Sequence, residues 1–225
     1  ARNAVGAVRL AEQGAFASPS ALDGEAGLFA SLRKRQAAAE VELFRGTPEI
    51  LAVYHKPVPA CNFAQTPAQA ALRIARETKI GPERIAAIRV RVSRAGALYP
   101  GCDSSGPFAH ILQAKMSIQY NVAAALIEGG VTEKNFDLLN DARLQRLIGL
   151  TTLLIDDAMT QAYPGKQGGE VEVTDTAGAT HRARLDDVVN ASAEDVRARF
   201  RAATEQAMGA SRAREIENFI DNLEH

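Results

Sequence analysis

Residues 55–67 read HKPVPACNFAQTP and combine a stiff backbone with chemically active side chains. Pro57 and Pro59 each fix φ at about −65°, which keeps this stretch out of the interior of helices and sheets. Thr66 and Pro67 then form the pattern of an N-cap residue followed by a first-turn proline. The sequence therefore predicts a stiff loop that ends at a helix N-terminus, where anions are favoured.

This loop carries an amine, an imidazole and a thiol that could act on an anionic ligand. Lys56, beside a helix N-terminus, can bind a carboxylate together with backbone N–H groups, and a plain surface lysine is the alternative. Cys61 becomes nucleophilic if its pKa is depressed, and a buried space-filling cysteine is the alternative. His55 adjoins Lys56, so the alternation of an extended chain predicts that at most one of them faces a given pocket.

A second polar stretch covers residues 113–126, which read QAKMSIQYNVAAAL. The pattern predicts one long helix over residues 109–129, closed by glycines at its C-terminal end. Lys115 and Gln119 would share a face of this helix at positions i and i+4, with Ser117 on another side. Such a helix suits the wall of a binding site, and an ordinary amphipathic helix is the alternative.

The order of the elements predicts an α+β fold, in which helical patterns precede and follow a strand-containing block. We expect a mainly helical domain formed by residues 1–81 and 191–222, split by an inserted α+β lid domain at 82–190. Residues 223–225 read LEH, which is typical of a cloning-tag remnant. Strands are expected at 85–93, 150–155, 170–174 and 180–185, and the returning helices at 193–208 and 212–222.

Composition argues against several functional classes. The 225-residue chain has a net charge of −1 and no basic block, so we expect neither nucleic-acid nor membrane binding. The two cysteines have neither metal-ligand spacing nor disulfide density, which favours a reducing, cytoplasmic location. Nucleotide-binding loops, the serine-hydrolase elbow and the HExxH metal motif are absent from the sequence, so we expect no cofactor and no metal.

Four stretches, in the expected order, resemble the MmgE/PrpD family, which includes 2-methylcitrate dehydratase, cis-aconitate decarboxylase and iminodisuccinate epimerase. They are a small-residue helix and turn at 4–27, KPVPAC at 56–61, AKMSIQYNVAAAL at 114–126 and a hairpin starting EVEVT at 170–178. The second and third stretches are the specific ones. The resemblance implies a helical domain split by an α+β lid, with the active site in the cleft between them.

Carried over by position, the resemblance makes Lys56 the site lysine and thus the expected catalytic residue. Cys61 falls where some members place a site histidine, and Lys115 and Ser117 fall in the segment that faces the cleft. We expect these three residues to bind substrate. Gln65 departs from the family pattern, because many members have a histidine there that could donate a proton.

Two hypotheses from different classes are therefore open. The first is a cofactor-free lyase or isomerase that acts on a small di- or tricarboxylate by α-proton abstraction, in the manner of 2-methylcitrate dehydratase. Family resemblance implies a homodimer, with further acid and base residues upstream, because the first residues are already helical in pattern without a cap. The second is an inactive relative, or a fragment that serves as a binding or assembly module. Convergence of His55, Lys56, Lys115 and Ser117 on one cleft would favour the enzyme.

Overall fold

The computed structural model describes residues 2–22, 24–32, 46 and 48–223, and the chain divides into two compact units. The first unit, Ala1–Val53, contains helix α1 (Arg2–Glu12), helix α2 (Leu28–Leu32) and a 3-10 turn at Glu49–Ala52. Apolar side chains of α1, among them Val5 and Val8, are exposed to solvent.

The second unit, Tyr54–His225, holds the four-stranded sheet and the remaining described helices. Its strands are β1 (Ile85–Val92), β2 (Thr151–Ile155), β3 (Gly169–Asp175) and β4 (Thr180–Leu185). Its helices are α3 (Gln65–Thr78), α4 (Arg94–Ala97), α5 (Ile111–Met116), α6 (Ile118–Glu128), α7 (Ala142–Gly149), α8 (Asp157–Ala162), α9 (Ala193–Met208) and α10 (Ala210–Asp221). The short 3-10 segments are Asn62–Ala64, Pro82–Arg84 and Glu133–Leu138.

The sheet has the order β2-β1-β3-β4, with β1 and β2 parallel and the other neighbours antiparallel. Parallel pairing requires a long crossover, and the chain from α4 to α7 supplies it. Strands β3 and β4 form the hairpin that the sequence predicts. All four predicted strands are present, with end points that differ by at most one residue.

Alternation along β1 separates the core of the unit from a charged sheet face. Ile88, Val90 and Val92 are buried in a cluster with residues of α3, α6 and α7. On the opposite face Arg89 pairs with Glu172 at 3.0 Å. Further Arg–Glu pairs continue this pattern across β3 and β4, so opposite charges face one another across the strands in this register.

The prediction of one helix over residues 109–129 is wrong, because Ser117 divides the segment into α5 and α6. Ser117 has extended dihedrals, φ −68° and ψ 124°, and its Oγ accepts a hydrogen bond from the Tyr120 amide. Serine favours this N-cap role over a helix interior, because its hydroxyl satisfies an otherwise unpaired amide. Lys115 and Gln119 therefore do not share a continuous helix, and the predicted i, i+4 relation fails.

Thr66 is not the N-cap of α3, as the sequence predicts, because the helix already begins at Gln65. The preceding 3-10 turn leads directly into the first helical turn. The hydroxyl of Thr66 instead donates to the carbonyl of Gln167, at 2.9 Å. Strand β3 begins close to the first turn of α3, where a Cβ on Gly169 would lie 3.0 Å from atoms of Pro67. The absence of a side chain at Gly169 therefore lets β3 approach α3 closely.

Within the described residues, the protein is a mixed structure of helices and one sheet. The compact unit Tyr54–His225 contains parts of every predicted domain. The inserted lid, with boundaries after residues 81 and 190, therefore remains a prediction. Among the described helices, none combines the length and apolarity needed to cross a bilayer.

Candidate active site

The loop at residues 56–61 takes its shape from the fully buried side chain of Gln65. Its Oε1 accepts from the Val58 amide at 3.0 Å, and its Nε2 lies 2.9–3.1 Å from the carbonyls of Val58, Ala60 and Cys61. A carboxamide has two N–H donors, so the three carbonyls share them. Gln65 thus satisfies the backbone of a stretch that belongs to no helix or sheet.

Lys56 lies exposed at the start of this loop. Its ammonium donates to the Ala60 carbonyl at 3.3 Å, which is long for a hydrogen bond from a charged group. The carbonyl of Lys56 accepts from the guanidinium of Arg199 on α9. The backbone is therefore fixed from two sides, while the ammonium retains donors for an anion.

A groove of about 640 Å³ lies beside Lys56. Its lining includes the cations Lys56, Lys134 and Arg199 and the carboxylate of Glu133, with apolar side chains of α9 completing the wall. His55 lines the same groove. The prediction that His55 and Lys56 cannot face one pocket is wrong, because strict alternation applies to a strand and these residues belong to none.

Lys115 is half-buried and bonded to a residue of the same groove. Its ammonium lies 2.9 Å from Oε2 of Glu133 and 4.9 Å from the centre of the Phe136 ring. An ion pair with such an exposed carboxylate contributes about 0–1 kcal/mol to stability, so a stronger anionic ligand could displace Glu133. The structure thus places Lys115 next to the groove with its charge balanced.

Ser117 is fully buried, and both functions of its hydroxyl are used within the protein. The Oγ accepts from the Tyr120 amide at 3.0 Å and donates to the Ser104 carbonyl at 2.5 Å. The side-chain amide of Asn121 also donates to the carbonyl of Ser117, at 2.7 Å. Ser117 therefore fixes the start of α6 and the loop that carries Ser104.

Cys61 and Cys102 are free thiols whose sulfur atoms lie 3.7 Å apart. Donation from the Cys102 thiol, together with the Phe63 backbone amide and the charge of Lys56, holds the pKa of Cys61 well below that of an ordinary thiol. The same contact and burial raise the pKa of Cys102. Of the two thiols, the half-buried Cys61 is therefore the one that ionises more readily.

Gln119 is a polar residue beside these groups to which the sequence assigned no individual role. Its Nε2 donates to Asp103 Oδ1 at 2.6 Å. Its Oε1 is buried and has no hydrogen-bond partner among the described residues. A buried unpaired acceptor is costly, so a hydrogen-bond donor would be favoured beside Gln119 Oε1.

Of the four candidate residues, Lys56, Cys61 and Lys115 lie in one region of the structure. The hydroxyl of the fourth, Ser117, is bonded within the protein. The Cys61 amide donates to the Lys115 carbonyl at 2.8 Å, which joins the loop at residues 56–61, here called the proline loop, to the end of α5. Lys56 and the partner of Lys115 line one groove, whereas Ser117 supports the neighbouring helix. In the described part of the chain no three His, Cys, Asp or Glu side chains form a potential metal-binding group.

Comparison with protein families matches residues 58–225 to the MmgE/PrpD C-terminal domain. The chain therefore belongs to the MmgE/PrpD family and represents its C-terminal portion. The matched range includes most of the proline loop, the sheet and both returning helices. Comparison with curated proteins gave no significant match.

Proposed function

We propose that the protein is a lyase or isomerase of the MmgE/PrpD type that acts on a small di- or tricarboxylate without a cofactor. The groove beside Lys56 carries this proposal, because Lys134 and Arg199 add positive charge for more than one carboxylate. Family membership supports the reaction class. Reaction at the carbon next to a carboxylate begins with removal of its α proton, for which a nearby cation lowers the barrier.

Lys56 is the proposed catalytic cation, which stabilises the negative charge that develops on the carboxylate as the proton leaves. Cys61, Lys115 and Ser117 are the proposed substrate-binding residues, in three different ways. Lys115 would exchange Glu133 for a substrate carboxylate, whereas Cys61 would present a polarisable sulfur. Ser117 would act through the start of α6, which it caps.

His55 lines the groove and is the proposed local proton carrier, since imidazole is the commonest general base in enzymes. Further acid and base groups are proposed to come from residues upstream of this portion, in a helical domain to which 82–190 forms an inserted lid. We also propose a cytoplasmic homodimer. Its partners would be the polycarboxylate and a second copy, rather than nucleic acid or membrane.

The test is a panel of di- and tricarboxylates, including 2-methylcitrate and cis-aconitate, incubated with the complete protein in deuterated water and followed by NMR. Deuterium incorporation at the α carbon reports proton abstraction even where no net product forms. We expect incorporation or turnover with at least one acid. A folded protein that exchanges and converts none of them would contradict the proposal.

The competing function is a binding or assembly module, which the internal bonding of Lys115 and Ser117 favours. The two functions differ in the Lys56→Ala variant. An enzyme loses deuterium exchange, whereas a carboxylate-binding module loses affinity in calorimetry and shows no exchange in either form. Lys166→Ala is the matched control, since Lys166 is exposed and lies outside the groove lining.

A further inference from the structure

The contact between Cys61 and Cys102 joins two loops that lie 41 residues apart in the sequence. Cys102 is fully buried, whereas Cys61 is partly exposed beside the lysine loop. These are the two cysteines of the chain. The Cys61 thiol is therefore accessible to a small oxidant. The Cys102 thiol contacts Cys61 but has no access to solvent.

Backbone hydrogen bonds hold both cysteines to the end of α5 and the start of α6. The Cys61 amide donates to the Lys115 carbonyl at 2.8 Å, and the Ile118 amide donates to the Cys102 carbonyl at 3.0 Å. Gln65 additionally holds the carbonyl of Cys61. A disulfide has an S–S length of about 2.05 Å, so closing the gap from 3.7 Å needs side-chain rotation and small adjustments of these loops.

We propose that Cys61 and Cys102 form a reversible intramolecular disulfide when the protein meets hydrogen peroxide. The Cys61 thiolate attacks one peroxide oxygen and is oxidised to a sulfenic acid, while the other oxygen leaves as hydroxide and takes up a proton to form water. The Cys102 thiol then loses its proton, and its sulfur attacks the Cys61 sulfur and expels water. The balance is two thiols and one peroxide giving one disulfide and two waters.

The environments of the two sulfurs assign these roles. Cys61 combines partial exposure with the nearby charge of Lys56 and a lowered pKa, which are the properties of an oxidant-sensitive thiol. Cys102 is buried and its raised pKa keeps it protonated, so it reacts only with its neighbour. Reduction by a dithiol restores both thiols.

The disulfide would connect the loop that carries Lys56 to the 99–107 segment by a covalent bond. It would also remove the Cys61 thiol from any contact with substrate. This effect on carboxylate binding rests on the proposed function, whereas formation of the disulfide does not. The two are therefore measured separately, the disulfide by peptide mass and the binding by calorimetry.

The experiment treats the complete protein with one equivalent of hydrogen peroxide, blocks remaining thiols with N-ethylmaleimide, and digests it with trypsin under non-reducing conditions. Trypsin does not cleave before Pro57, so the cysteines fall in peptides 46–73 and 95–115. We expect these peptides as a linked pair, two hydrogens lighter than their sum, that dithiothreitol separates. Both peptides recovered with unlinked, alkylated or over-oxidised cysteines would overturn the proposal.

Isotope mixing and two variants complete the test. In a mixture of ¹⁵N-labelled and unlabelled protein, linked pairs of one isotope only are expected, and mixed pairs would overturn an intramolecular bond. In Cys102→Ala, dimedone should trap a sulfenic acid on Cys61, whereas in Cys61→Ala the remaining Cys102 should stay reduced. Oxidation of Cys102 in Cys61→Ala at the wild-type rate would overturn the assigned order. The wild-type mapping decides the proposal even if a variant does not fold.

Discussion

The proline loop at residues 56–61 and the segment 114–121 contain similar polar side chains but use them differently. In the loop the backbone is held by Gln65, and the side chains of Lys56 and Cys61 remain accessible. In the segment the polar side chains themselves bond the backbone, since Ser117 caps a helix and the side chain of Asn121 donates to two carbonyls.

This difference shows that a residue's availability depends on what satisfies the backbone around it. Where a neighbouring side chain supplies the hydrogen bonds, a lysine or cysteine can be left for a ligand. Where a polar side chain bonds the neighbouring backbone groups, it stabilises the local structure and is not available to a ligand. Lys115 stands between the two cases, because its charge is balanced by an exposed glutamate that a ligand could replace.

The largest effect is expected for Lys56→Ala, which should lower kcat/KM for the acid identified in the panel by about 100-fold. The reason is loss of a cation at the carboxylate that becomes charged. Lys115→Ala should cost less than about 10-fold, because the charge lost there is already balanced by Glu133. Steady-state kinetics with both variants checks this ranking, and equal losses would remove the distinction between the two regions.

The next largest effect is expected for Gln65→Leu, which should lower the free energy of unfolding by about 2–4 kcal/mol. Several buried backbone groups lose their partner, at about 1–3 kcal/mol for each group left unpaired. Gln69→Leu is the matched control on the same helix, since Gln69 bonds a single exposed residue, Val189. Urea denaturation checks this, and equal losses in the two variants would show that Gln65 does not organise the loop.

Ser117→Ala should lower the free energy of unfolding by about 1 kcal/mol through loss of the N-cap. Turnover at saturating substrate should change less than about 3-fold, because the hydroxyl is buried and bonded within the protein. Thermal melts and kinetics on one preparation separate the two effects. A large loss of turnover without loss of stability would instead place the hydroxyl on the substrate.

The smallest effect concerns the pH at which Cys61 reacts with iodoacetamide. Because the folded pKa of Cys61 is lowered, the reactive thiolate persists below the ordinary thiol pKa of about 8.5 and is lost as the pH falls through the lowered value. Cys102→Ala removes the largest cause of this lowering and should move the midpoint upward. Rates between pH 5 and about pH 9, with urea-unfolded protein as the reference, check the direction.

The sheet was predictable because β1 alternates from Ile88 to Val92 and the hairpin carries a clear turn, both of which are local signals. Family membership was also predictable, from two specific stretches in order. The break at Ser117 was not, because the helical pattern continues on both sides of it and the Ser117 hydroxyl also donates to the Ser104 carbonyl of another loop. The role of Gln65 was equally hidden, although a glutamine just after a proline-rich loop is the signal that could have indicated it.

The bonds from Gln65 have a consequence for protein engineering. The residue that shapes the KPVPAC loop lies four positions beyond its last residue, so transplanting the six-residue motif alone would carry the chemical groups without their geometry. A transferable unit would have to extend at least from Lys56 to Gln65. A histidine at position 65 that donated from both ring nitrogens would have no acceptor for the Val58 amide, so it could not reproduce the full set of bonds that Gln65 makes.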